Sequence, residues 1–220
     1  RHHSIDFEMN LQLARSLSGL LILLGIVVSI AGQIGAESLT NFGSGVSMKP
    51  STAIAFTLAG TIGLCLTLRS QISELVLSWS AISLWLLMLV ILVESLLNIN
   101  SGITSVMIAK GIDATTGSER PGEPSLGTCV AFLLIAAMGL GELFCRDHRS
   151  IALPAIVLSI GSLTVLGYCS DTPLLFYRVP GLSTAMALHT GIGIQICGVI
   201  GFLLTERDAW KRNSNNKSTD

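Results

Sequence analysis

A chain of 220 residues in which half are apolar, only 12% are charged and mean hydropathy reaches +0.68 carries too little charge to cover the surface of a soluble domain of that length. Its net charge of −1 and pI near 6.5 give no electrostatic case for nucleic-acid binding. Lipid is the solvent this composition suits, and the expected class is an all-α integral membrane protein.

Six apolar runs predict transmembrane helices over residues 17–34, 51–68, 75–97, 126–144, 151–169 and 185–204. Each approaches the roughly 20 residues that a helix needs to cross the hydrocarbon layer. The runs are continuous rather than alternating, which selects helices over barrel strands. Residues 1–16 then form a cytoplasmic N-terminal segment, 17–206 the membrane bundle and 207–220 a polar cytoplasmic tail. Arg15 gives the first span a basic flank, but no small-residue cleavage site precedes a soluble domain, so the span is not read as a cleaved signal peptide. Because the sequence opens on Arg1, a trimmed start is expected.

With an even number of spans both termini lie on one side. That side holds Arg1, Arg15, Arg69, Arg146, Arg149, Arg207, Lys211, Arg212 and Lys217, and the other holds Lys49, Lys110, Arg120 and Arg178. Nine against four of the 13 Lys and Arg residues puts both termini in the cytoplasm, because basic loops resist translocation. Trp79 and Trp210 fall near the same proposed inner interface, where an indole keeps its ring in lipid and its N–H in water.

Self-comparison gives the strongest internal pattern. Met48-Lys-Pro-Ser-Thr52-Ala-Ile-Ala-Phe56 recurs as Met186-Ala-Leu-His-Thr190-Gly-Ile-Gly-Ile194 and, more weakly, as Pro124-Ser-Leu-Gly-Thr128-Cys-Val-Ala-Phe132. Each copy opens an outside-to-inside span. Arg69 and Arg207 follow Thr52 and Thr190 by 17 residues, and Arg146 follows Thr128 one residue later. The chain therefore divides into three two-helix repeats. Small residues at four-residue spacing, Ala59/Gly63, Ala137/Gly141 and Gly193/Cys197, let the return helices approach closely in lipid. The simplest role for Thr52, Thr128 and Thr190 is to start those helices, with Pro50 and Pro124 well accommodated nearby.

The Met-x-x-x-Thr pattern, the Gly111-Ile-Asp113 element and Leu166-Gly-Tyr168 ahead of Met186-Ala-Leu-His-Thr190 resemble the N-terminal membrane-embedded sensor region of bacterial histidine kinases and diguanylate cyclases. The resemblance covers about Leu11 to Arg212. It implies signal reception in the inner membrane and a cytoplasmic catalytic module after the last span. Here the residues beyond Trp210 are polar and carry neither a heptad nor a catalytic motif. The expectation is a sensor or ligand-binding bundle whose output module this chain lacks. The alternative is a non-catalytic accessory or structural subunit packed in a larger membrane complex.

No P-loop, dinucleotide fingerprint, nucleophile elbow or metalloprotease histidine pair occurs, so an enzyme is not expected, nor a cofactor or a metal. The cysteines (Cys65, Cys129, Cys145, Cys169 and Cys197) suit small packing residues, with a disulfide between Cys129 and Cys169 as the alternative at the outer face. Candidate ligand-binding residues are Glu94, Asp113 and His189. Glu94 is an intramembrane carboxylate near an outer end, Asp113 stands in the longest polar loop (98–123), and His189 is the one histidine associated with a span. Glu142 is a weaker candidate near the inner end. Recognition is therefore expected in the outer half, with the lipid bilayer and membrane protein partners or a second copy of the chain as contacts.

Overall fold

The computed structural model describes residues 2–34, 36, 40, 46–68, 70–97, 99, 123–144, 151–177 and 183–216. Away from water a long apolar run satisfies its backbone N–H and C=O groups internally only as a helix. Six such helices form: α1 (His2–Gln33), α2 (Pro50–Leu68), α3 (Gln71–Leu97), α4 (Leu126–Phe144), α5 (Ala152–Cys169) and α6 (Leu188–Asn216). A turn of 3-10 helix, Pro173–Phe176, lies between α5 and α6, and the described residues include no β-strand. All six helices are long and apolar enough to cross a membrane. The chain has the make-up of a multi-pass membrane protein.

The expected spans match α4 at both ends and differ most at α1 and α6. α1 begins at His2 and α6 runs on to Asn216, so the two polar terminal segments extend helices rather than standing apart from the bundle. Hydropathy reports where a helix meets lipid and says nothing of where its hydrogen bonding stops. Neither 1–16 nor 206–216 contains a glycine or proline to break the ladder.

Helix starts follow local chemistry. Pro50 is the first residue of α2, where its missing N–H costs nothing. Ser125 precedes α4, and its hydroxyl accepts from the Thr128 N–H at 3.2 Å. Before α3, the Ser70 N–H donates to Ser73 Oγ at 2.7 Å and the Ser73 N–H donates to Ser70 Oγ at 3.1 Å, a reciprocal cap. Within the spans, Ser18, Thr57, Thr61 and Thr205 each donate to the carbonyl four residues back. Their hydroxyl hydrogens are thereby satisfied without help from a neighbouring helix.

Packing sorts the helices into two kinds. α1 lies along α2, α3 along α4 and α5 along α6, while α2, α4 and α6 also touch one another. The remaining sides close through α2 with α3, α4 with α5 and α6 with α1. The apolar windows of α2, α4 and α6 are 67%, 44% and 56% buried, against 28%, 33% and 28% for α1, α3 and α5. The former three make the centre and the latter three face outward. Phe56 of α2 and Phe132 of α4, both fully buried, meet edge to face with ring centroids 5.0 Å apart. Gly193 of α6 is flat against the Phe56 ring, since a Cβ there would stand 2.5 Å from its atoms. Two hairpins also rely on glycine: Gly60 lets α2 lie on the Ser18–Ile22 turn of α1, and Gly161 lets α5 meet the Gly191 carbonyl of α6.

Candidate functional site

The bundle has two unlike ends. At the first, called the motif end, the starts of α2, α4 and α6 gather the repeated residues. Met48, Thr52, Thr128, Met186 and Thr190 are all at least 96% buried there. Four residues beyond each threonine come Phe56, Phe132 and Ile194, each with no exposed surface. The threonines occupy early positions in the central helices, but at α4 the cap is Ser125, and Thr128 pairs with it hydroxyl to hydroxyl at 2.8 Å.

The connection from α5 to α6 covers this end and ties it together. The Tyr168 hydroxyl donates to the Met186 carbonyl at 2.9 Å, and the Thr164 hydroxyl lies 3.0 Å from the Met186 sulfur. Tyr168 stacks on Phe176 with centroids 4.7 Å apart, and the Met186 N–H donates to the Phe176 carbonyl at 2.9 Å. Two bonds then reach across to α4: the Leu126 N–H donates to Ser183 Oγ at 3.1 Å, and Thr184 Oγ1 donates to the Glu123 carbonyl at 3.0 Å. Tyr177, in a left-handed conformation with φ 60°, lays its ring on Gly127, where a Cβ would come within 2.7 Å of it. Burial pushes its phenol above the ordinary tyrosine value.

The sequence candidates are placed as follows. Glu94, 5% exposed, is near the end of α3. His189, 8% exposed, is the second residue of α6. Asp113 lies outside the described residues, as does the stretch around it that was expected to carry recognition. Cys65, Cys129, Cys169 and Cys197 are free thiols; Cys129 is fully buried on α4 whereas Cys169 is exposed on α5, and no disulfide joins them. Among the described residues no three His, Cys, Asp or Glu side chains cluster as a metal site would require.

At the opposite end, called the arginine end for Arg15, α2, α4 and α6 line a cavity of about 120 Å³. Ile62 and Leu66 of α2, Ile135 and Met138 of α4, and Ile200 and Leu204 of α6 supply most of its apolar wall. Glu142 and Thr205 supply the acidic and hydroxyl groups, and Leu153 and Pro154 of α5 complete one side. Neither Glu94 nor His189 lines it. Beside it, Arg15 donates from Nε to Thr67 Oγ1 and from Nη2 to the Thr67 carbonyl, both at 3.4 Å, fastening α1 to the last turn of α2.

Sequence reasoning passed over two groups of residues here. The cap residues Phe176, Tyr177, Ser183 and Thr184 carried only a weak sign, a proline followed by paired aromatics. The cavity had a clearer one: a glycine stands 11 residues after each repeated threonine, at Gly63, Gly139 and Gly201. Gly63 and Gly201 line the cavity. Comparison with protein-family models, curated proteins and solved structures finds no match for the chain.

Proposed function

We propose that the chain is the membrane-embedded sensor or ligand-binding bundle of a bacterial signalling protein, built as three two-helix repeats with its motif end outside and its arginine end in the cytoplasm. One observation carries this reading: α6 is a single helix from the motif end, where Met186 precedes it, past the cavity to Asn216. Eleven residues of it follow Thr205, about 16 Å at 1.5 Å per residue. A rigid rod with a hydrogen-bonded anchor at one end and a polar extension at the other converts a small shift at the anchor into a displacement that a partner or attached module can read. The ligand must favour one position of α6 over another for this to work. The threefold reading is supported by the contact pattern, in which each buried return helix meets both of the others, and by the equivalent burial of Phe56, Phe132 and Ile194.

The test attaches a histidine-kinase or cyclase reporter after Asn216 and inserts alanines one at a time at the junction. Output that rises and falls with the helical period, and shifts in Tyr168→Phe, is the expected result. Output indifferent to both changes would falsify the sensor reading. Stable co-purification with unrelated membrane chains, together with that indifference, would establish the accessory-subunit alternative.

A further inference from the structure

Between the two ends, the spans carry a polar group that the fold does not use up. Gln195 of α6 stands seven residues after Leu188 and ten before Thr205, and Ser162 of α5 stands ten after Ala152 and seven before Cys169. Both therefore lie about 10 Å or more from either end of their spans. Gln195 Nε2 donates to Ser162 Oγ at 3.1 Å, the one hydrogen bond of that side chain among the described residues. A carboxamide carries two N–H donors and a carbonyl acceptor. One N–H and the carbonyl are left over, at a depth where hydrocarbon offers neither partner.

The seam behind the amide is closed. The Gln195 stem lies over Gly161, where a Cβ would come within 2.8 Å of its Cγ, and a Cβ on Gly198 would meet Leu158 at 2.8 Å. Gln195 is half-buried, and its neighbours one turn away on α6, Ile192 and Val199, are exposed. The spare groups thus border the outward face of the α5–α6 hairpin. On α5 the exposed Ser159, one turn before Ser162, donates to the Ala155 carbonyl at 2.8 Å, which leaves its oxygen as a further acceptor.

Depth and self-complementarity together select the occupant. Acyl chains carry no hydrogen-bonding group in the middle of the bilayer, and the polar parts of lipids lie at its interfaces. A second copy of the chain, inserted the same way, carries the same carboxamide at the same depth. Rotation about a twofold axis along the membrane normal then brings donor to acceptor and acceptor to donor together, as an isologous contact requires. A carboxylate or an ammonium at that position would repel its own copy.

We propose that two copies of this chain associate through the outward face of the α5–α6 hairpin, with Gln195 of each hydrogen-bonded to Gln195 of the other and the small Ser159 and Ser162 letting the helices approach. The inference rests on the membrane setting of the bundle and not on its signalling role, so a failure here leaves the reporter experiment above to be judged separately.

The experiment reconstitutes the full chain, carrying a donor or an acceptor fluorophore at its N-terminus, in phosphatidylcholine vesicles and follows energy transfer as the chain is diluted in lipid. Gln195→Met keeps the shape and removes the amide. It should weaken association about tenfold, because interhelical hydrogen bonds in lipid are worth about threefold each and a symmetric pair is lost. Ser162→Ala removes the bond within the hairpin but leaves the amide, so association should persist. Ser159→Leu, at an exposed position, blocks close approach and serves as the second variant should Gln195→Met lose helical content. Ile192→Cys should form a disulfide-linked dimer well above the parent chain on mild oxidation, and Leu86→Cys on α3 should not. Energy transfer no greater than random proximity gives, or unchanged in well-inserted Gln195→Met and Ser159→Leu, overturns the contact. Equal weakening by Ser162→Ala would reduce Gln195 to a staple within the hairpin and overturn it as well. Cross-linking of Ile192→Cys in cell membranes to a different chain and not to itself would overturn the second copy as occupant.

Discussion

The motif end and the arginine end are made from the same three helices, yet one is closed and the other is hollow. At the motif end Tyr168 of α5 and the α5–α6 connection, with Phe176, Tyr177, Ser183 and Thr184, bridge α4, α5 and α6 through hydrogen bonds and ring contacts. At the arginine end Arg15 of α1 bonds Thr67 of α2, and the cavity between α2, α4 and α6 is lined chiefly by aliphatic side chains. Directional contacts fix relative positions, whereas aliphatic packing around a void leaves helices several arrangements of similar energy. The two ends are therefore held differently, by named bonds and ring contacts at one and by side-chain packing around a cavity at the other.

Three substitutions break or sharpen that contrast, in order of expected size. Phe56→Ala removes the ring that joins α2 to Phe132 and Gly193 at the closed end. The loss should be about 3 kcal/mol, the low end of the range for truncating a core phenylalanine, because lipid rather than water is the exterior solvent and packing is the larger part of what is lost. Reversible unfolding in mixed micelles measures it, and a loss below about 1 kcal/mol would mean that the central contact is not tight. Gly127→Ala should cost about 2 kcal/mol, within the range for overpacking, since the added methyl has to displace the Tyr177 ring. It should also bring the Tyr177 phenol back toward its ordinary pKa of 10, seen as phenolate absorbance appearing at lower pH than in the parent. The linkage has a definite sign: burial raises the folded pKa, so this group's contribution is intact below pH 10 and declines as pH rises through the raised value. Gly141→Ala, in open space at the hollow end, should stabilise α4 by up to about 1 kcal/mol through helix propensity alone. An opposite sign there would show that the wall beside Gly141 is filled.

The difference between the ends also explains which residues could be read in advance. Thr52, Thr128 and Thr190 stood out because similar residues surround each of them in the sequence, and all three are buried near the starts of α2, α4 and α6. Glu94 and His189 were singled out for chemistry, and burial at the motif end is what the fold adds to them. Glu142 ranked below both on sequence because it stands near the inner interface, and only the fold shows that Thr205 lines the same cavity. The Tyr168–Met186 bond joins residues 18 apart whose meeting depends on how the intervening connection folds back.

Composition and the lengths of the apolar runs determined the helical class, the six spans and most of their boundaries, because a backbone without water has few ways to bond itself and hydrocarbon thickness sets the count of residues. Tertiary structure alone decided that the α5–α6 connection caps α4 and that Glu142 and Thr205 line one cavity. Each of these depends on distances between segments far apart in the chain, and side-chain identity at one position carries no record of what another helix places against it.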